Sequence, residues 1–325
     1  MIELFYFIIL ALLFSLAIDV IFGELPTKIH PVVIIGSIIN IFKEIFIKIK
    51  NRISGLLLVL ATILVVGILL YVLYFIFSFN NIILFILFII LLSSTFSVNM
   101  LLKTAVDVKN DLDESLDKAR ESVSYLVSRS TDELTESFIV SAVIESLTEN
   151  ITDSYVAPMF YYTIFAAIIL FNHVNNQLYY LLLVPMLYRV FNTLDAMVGY
   201  QTDELRNIGF FPAKIDDVLN YIPSRIAGVY VVISAYLVRF DGKNSYRIMR
   251  RDARKCPSPN SGYTMASTAG ALNIQLIKKD TYVLGDSTKE IDKGDITQAV
   301  NLSKLTIILF TLTILILLTL INVIL

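Results

Sequence analysis

Three carboxylates recur at steps of four residues, Glu145, Glu149 and Asp153, with Asn150 beside the second. On an α-helix each such step drifts by about 40°, so all three share one face. Like charges at that spacing repel, and no lysine or arginine lies between Phe138 and Ala157 to relieve them. A hard cation resolves the repulsion, and Mg2+ held by one or two carboxylates together with substrate phosphates is the usual arrangement. Glu145, Glu149 and Asp153 are therefore the expected metal-binding group. Val140, Ala142, Val143, Ile144 and Leu147 around them are apolar, unlike a solvated acidic face. Pro158 is expected to end or kink the helix soon afterwards.

Three further constellations carry polar chemistry. Arg251, Asp252, Arg254 and Lys255 run into Cys256-Pro-Ser258-Pro-Asn260-Ser261-Gly262. Its two prolines forbid a regular helix, and its guanidinium forks, hydroxyls and loop amides suit phosphate or carboxylate recognition. Asn192 and Asp195 follow Arg189, and Lys214, Asp216, Asp217, Asn220 and Arg225 lead into an apolar run. Polar side chains beside apolar segments serve as ligands, anchors or ties between helices. Asp19, Gly23, Glu24, Pro26, His30 and Pro31 suggest a shaped entrance at a membrane edge, with His30 a structural hydrogen-bonder.

The elements that must position these groups are apolar to an unusual degree. Of 325 residues, 56% are hydrophobic and 17% charged, against about 45–50% and 25% in soluble domains; mean hydropathy is +0.74. A soluble globular enzyme, a disordered chain and a fibre are excluded. The net charge of −2 offers no attraction to nucleic acid. One cysteine, Cys256, and two histidines, His30 and His173, leave no disulfide and argue against a His/Cys zinc site. The first apolar segment lacks a basic n-region and a cleavage site, so it reads as a retained helix.

Spans are expected at 4–21, 56–79, 82–102, 156–171, 178–190 and 302–325. The fold class is all-α: a polytopic integral membrane protein of about five transmembrane helices or more, with cytoplasmic amphipathic helices between them. Residues 1–325 read as one domain whose polar segments 103–153, 192–225 and 239–276 carry the chemistry. Segment 222–238 reads as a packed or re-entrant helix. Lysines and arginine in 23–54, and none in the turns at 80–81 and 172–177, place the polar stretches inside. Leu112, Leu116, Ala119, Val123 and Leu126 form one apolar helical stripe, and Ser130 with Glu133 fits a capping box that starts the next helix. Strand signals are scarce.

Glu145-Ser-Leu-Thr-Glu149-Asn150-Ile-Thr-Asp153, Asn192-Thr-Leu-Asp195, Asp216-Asp217-Val-Leu-Asn220-Tyr-Ile-Pro-Ser-Arg225 and the Arg251–Gly262 stretch follow one another in this order. Together they resemble the adenosylcobinamide-phosphate synthase family of cobalamin biosynthesis (CobD/CbiB type), over about Asp19–Leu276. Ser154 and Cys256 stand where that family often has glycine and histidine. The resemblance implies a membrane enzyme, an amide-forming acid–amine ligase. It joins (R)-1-amino-2-propanol or its O-phosphate to a propionate of adenosylcobyric acid, giving adenosylcobinamide or its phosphate.

On that reading ATP is the cosubstrate and Mg2+ the metal, since a carboxylate must be activated, most simply as an acyl phosphate, before an amine attacks it. Glu145, Glu149, Asp153, Asp195, Asp216 and Asp217 are then the expected catalytic residues, with one of the last three taking the amine proton. Asn150, Asn192, Asn220, Arg225, Arg251, Arg254, Lys255, Ser258, Asn260 and Ser261 would bind substrate and phosphate. The expected partners are the corrinoid, the amino alcohol and the lipid bilayer, with a homo-oligomer or a complex with other pathway enzymes left open. The expected location is the cell membrane, multi-pass, with the active site on the cytoplasmic side. The rival readings are a permease for an anionic solute and a non-catalytic scaffold of a biosynthetic complex.

Overall fold

The structure is a computed structural model describing residues 2–127, 130–172, 174–200 and 202–325; His173 lies outside the described residues. Helices dominate: α1 (Ile2–Phe22), α2 (Pro31–Phe46), α3 (Ile53–Phe77), α4 (Asn81–Ser93), α5 (Val98–Glu114), α6 (Leu116–Ser124) and α7 (Glu136–Ile151). They continue, fourteen in all among the described residues, as α8 (Ala157–Phe171), α9 (Gln177–Val198), α10 (Phe210–Leu219), α11 (Tyr221–Leu237), α12 (Gly242–Asp252), α13 (Gly262–Leu272) and α14 (Lys293–Ile324). The described strands are β1 (Gln275–Lys278) and β2 (Tyr282–Gly285). Among the described residues, six helical stretches are long and apolar enough to cross a membrane, counting 81–114 and 136–171 as continuous, or seven if α10 and α11 form one interrupted span. The fold is all-α, polytopic and multi-pass.

Residue contacts gather in two compact units, where the sequence reading takes 1–325 as one domain. The first comprises Met1–Ser97, Ala157–Leu219 and Ile314–Leu325; the second comprises Val98–Val156 and Asn220–Thr313.

In the first unit, α3 carries no charged residue over 25 positions and is apolar on every side, as lipid-facing helices are. Asn80 starts α4 by accepting from the N–H groups of Ile82 and Ile83 at 2.9 and 3.2 Å. The apolar stretch expected as a single helix over 82–102 breaks at Ser93. There the hydroxyls of Ser93, Ser94 and Thr95 donate back to the carbonyls of Ile90, Leu91 and Leu92 at 2.7–2.8 Å, satisfying the final turn. Tyr162, fully buried, donates its hydroxyl to the Ile8 carbonyl at 2.8 Å and ties α8 to α1.

In the second unit, Ile139, Val143, Ile144 and Leu147 of α7 pack with Met265 and Ala269 of α13, with Leu276 and Leu284 of the strands, and with Ile296 and Val300 of α14. Of the expected stripe, Leu112, Ala119, Val123 and Leu126 face this core, whereas Leu116 is exposed, and the stripe spans two helices. Ser115 interrupts them, its extended backbone letting Oγ accept from the Lys118 N–H at 3.3 Å. The capping box at Ser130 does not form. Residues 131–134 make a turn closed by Leu134 N–H to Thr131 O at 3.1 Å, and α7 begins at Glu136 after Thr135.

Pro158 does not end the helix. A π-helical turn over Thr152–Val156 precedes it and absorbs the hydrogen bond that proline cannot donate, so the chain stays helical to Phe171. After α13 the chain makes the antiparallel hairpin that sequence did not show, with Lys278 opposite Tyr282 and Gln275 opposite Gly285.

Candidate functional site

The second unit assembles most of the residues singled out above. Glu145 is 5% exposed, and a carboxylate so buried requires donors. It has one on each oxygen: Ser141 Oγ donates to Oε1 at 2.7 Å and the Tyr282 hydroxyl donates to Oε2 at 2.9 Å. Glu149, one turn along α7, lies within electrostatic range of Asp153, Lys278 and Glu145. Asp153 sits in the π turn, and Asn150 donates Nδ2 to the Ser146 carbonyl at 2.9 Å.

The proline-rich loop comes to this acidic face. Burial pushes the Cys256 thiol up to about 11, against a hydrogen bond from Ser261, and the charges of Glu149 and Glu145 act on it in the same direction. Cys256 is therefore a protonated thiol at neutral pH and no nucleophile. Arg225 braces the loop from α11. Its Nη1 donates to Asn260 Oδ1 at 2.8 Å and its Nη2 to the Pro259 carbonyl at 3.2 Å, while the guanidinium lies 3.6 Å over the Tyr221 ring and 4.3 Å from that of Tyr263. Ser258 Oγ accepts from the Asn260 N–H at 3.2 Å. Gly262 follows because an added Cβ would stand 2.1 Å from the Ala253 carbonyl oxygen.

The cations before the loop divide into two kinds. Arg251 grips the fully buried Asp252 with two bonds of 2.7 Å, and Lys255 reaches the same carboxylate at 2.6 Å. Arg251 also bonds Asp286 at 2.7 Å, and Arg247 reaches Asp286 at 2.6 Å. Burial alone would raise Asp252, but hydrogen bonds from Arg251, Lys255 and the Gly285 N–H outweigh it and hold the carboxyl at about 2. Arg251 and Lys255, expected to clamp a phosphate, thus already carry internal carboxylates. Arg254 is exposed and, among the described residues, forms no ion pair. It lines a cavity of about 330 Å³ with Met249, Arg250, Ala253 and Tyr263. A wider hollow of about 800 Å³ runs along α12, lined by Lys243, Tyr246, Arg247, Arg250 and Arg251 among others.

Among the described residues, no three carboxylate, imidazole or thiol groups converge to cage a metal ion by themselves. The acidic face therefore fits Mg2+ only in the shared form, one or two carboxylates with the remaining positions left to substrate oxygens. Both Glu145 oxygens already accept protein hydrogen bonds.

The sequence model of the CobD/Cbib protein family matches residues 12–303. A relative in Methanothermobacter thermautotrophicus, called probable cobalamin biosynthesis protein CobD, is 44% identical over 93% of this chain and 95% of its own. Another so called, in Methanothrix thermoacetophila, is 33% identical over 92% and 93%. The cobalamin biosynthesis protein CobD of Dehalococcoides mccartyi is 34% identical over 87% and 89%. The chain belongs to the CobD/CbiB family of cobalamin biosynthesis proteins. No solved structure matches it.

In this CobD/CbiB family member, the remaining expected residues except Asn220 belong to the first unit. Asn192 accepts from Arg189 Nη1 at 3.1 Å, Asp195 receives the Gly199 N–H on its backbone carbonyl at 2.7 Å, and Asp217 lies 3.7 Å from Lys214. Asp216 is partly buried on α10 beside Asp217, and Asn220, buried, opens the second unit at the start of α11. His30 is the structural group expected: Nδ1 accepts from the Val32 N–H at 3.2 Å and caps α2, and burial lowers its pKa. Sequence reasoning missed Tyr282, Ser141, Lys278 and Asp286. The run Gln275–Lys278, then Lys279-Asp280-Thr281, then Tyr282–Gly285 is a short hairpin pattern around a polar turn, and it was the available signal for Tyr282.

Proposed function

We propose that this chain forms the amide between a propionate of adenosylcobyric acid and 1-amino-2-propanol, free or O-phosphorylated, on the cytoplasmic face of the membrane, at the expense of ATP. Membership of the CobD/CbiB family supports a corrinoid substrate. The observation that carries the chemistry is the meeting, inside one unit, of the Glu145–Glu149 face with the loop bearing Cys256 and Ser261.

In chemical terms, a propionate oxygen takes the terminal phosphoryl group of ATP, releasing ADP. The amine then attacks the acyl carbon, phosphate leaves, and the surplus proton on nitrogen passes to water. When bound, Mg2+ would spread the charge of the phosphoryl oxygens. Glu149 and Asp153 would hold it, and Glu145, pinned by Ser141 and Tyr282, would keep the acidic face in place. Arg254 and Arg250, with no carboxylate partner among the described residues, offer charge to an anionic partner, while Arg225 holds the loop shape and Asp252 holds Arg251 and Lys255.

The test is incubation of purified protein with adenosylcobyric acid, the amino alcohol or its phosphate, and Mg·ATP. A corrinoid with the mass of acid plus amine minus water is expected. Uptake of a solute into vesicles with no conversion would replace the ligase reading with a permease.

A further inference from the structure

The hairpin reaches the acidic face through two hydrogen bonds with complementary roles. Ser141 Oγ accepts from the Ile277 N–H of β1 at 2.8 Å, which leaves its proton directed to Glu145 Oε1 at 2.7 Å. Tyr282 of β2 supplies the other carboxylate oxygen at 2.9 Å, with Met265 Sδ 3.7 Å from the same hydroxyl. One strand therefore orients the serine and the other delivers the tyrosine. The hairpin is itself anchored at its far end. The Gly285 N–H donates to Asp252 Oδ2 at 2.9 Å, and Gly285 has φ +84°, with an added Cβ 2.2 Å from the Ile274 carbonyl oxygen. Hydrogen bonds and one short strand thus connect the Arg251–Asp252–Lys255 cluster to Glu145.

We infer that Tyr282 is a positioning residue, carried by the hairpin, which together with Ser141 fixes the Glu145 carboxylate in one orientation. This rests on the reading of the Glu145–Glu149 face as the reaction centre. A carboxylate on a free side chain samples several rotamers, whereas one held by a donor on each oxygen presents fixed lone pairs. A tyrosine that only packed the hairpin would lose little on becoming phenylalanine, which keeps the ring.

The experiment is a double-mutant cycle on purified protein with adenosylcobyric acid, aminopropanol phosphate and Mg·ATP. Tyr282→Phe is expected to lower kcat about 10- to 100-fold, with KM for both substrates within about twofold and Tm little changed. In a Glu145→Gln background it is expected to add almost nothing, because the two side chains act as one unit. Should Tyr282→Phe fold poorly, Ser141→Ala carries the same expectation. Wild-type turnover with Tyr282→Phe undiminished, or with its effect fully retained in the Glu145→Gln background, overturns this inference alone. No product from the wild-type chain overturns the ligase reading and this inference together.

Discussion

Asp252 has no exposed surface yet carries a charge, and two cations and a backbone N–H meet it. Removing one partner of such a buried pair strands the others. Asp252→Asn is expected to cost about 3 kcal/mol, the lower end of the range for buried pairs because Arg251 and Lys255 keep part of their hydration, and thermal unfolding in detergent reads it as a fall in Tm. The carboxyl sits near 2 in the folded chain and about 3.9 in an unfolded one. Its stabilisation is therefore complete above about pH 4 and is lost as pH falls towards 2. Wild type should lose stability across that window while Asp252→Asn, lacking the group, shows a shallower slope. Arg254 is the opposite case, a cation with no internal partner among the described residues. Arg254→Ala is expected to leave Tm within about a degree and to raise KM for an anionic substrate some tenfold, as for a lost charge-assisted hydrogen bond; an unchanged KM removes Arg254 from substrate binding. The carboxylates and basic loop were legible as residue types and spacings. Which cations are free was not, because Asp286 pairs with Arg247 and Arg251 from 39 and 35 positions away.

Helix breaks show what local pattern conveys and what it omits. The apolar stripe through Leu112 and Val123 was correct in phase except at Leu116, which opens α6 and is exposed. The interruption at Ser115 was not visible, since a serine can cap or simply continue a helix. Likewise Ser130 and Glu133 have the spacing of a capping box, but the chain turns at Thr131–Leu134 before α7 starts. At Pro158 the rule that proline ends helices met a π turn placed just before it. That turn holds Asp153, and such turns recur at functional sites. The start of α13 makes the strongest element-scale prediction. With the Ala253 carbonyl oxygen 2.1 Å from where a Cβ would go, Gly262→Ala must push the proline-rich loop away from α12. Activity is expected to fall at least tenfold with the helical content unchanged by circular dichroism. Near-normal turnover and Tm would show that the loop tolerates displacement.

The whole molecule was legible as an all-α multi-pass protein because apolar runs of about 20 residues have few other fates. The division of contacts into two units, each built from distant segments, was not, since it depends on packing partners that no local pattern names. Orientation follows the basic residues: Lys43 is expected inside and Asn80 outside. After Cys256→Ser removes the single native thiol, Lys43→Cys should resist and Asn80→Cys accept an impermeant maleimide on intact cells; the reverse labelling would invert the topology. The central claim is that the acidic face of α7 carries amide formation. The most direct measurement compares corrinoid product formed by wild-type protein and by Glu149→Gln under identical conditions with Mg·ATP, with Tm recorded for both. The account predicts adenosylcobinamide or its phosphate from the wild type and none from a stably folded Glu149→Gln. Product at the wild-type rate from Glu149→Gln would contradict it.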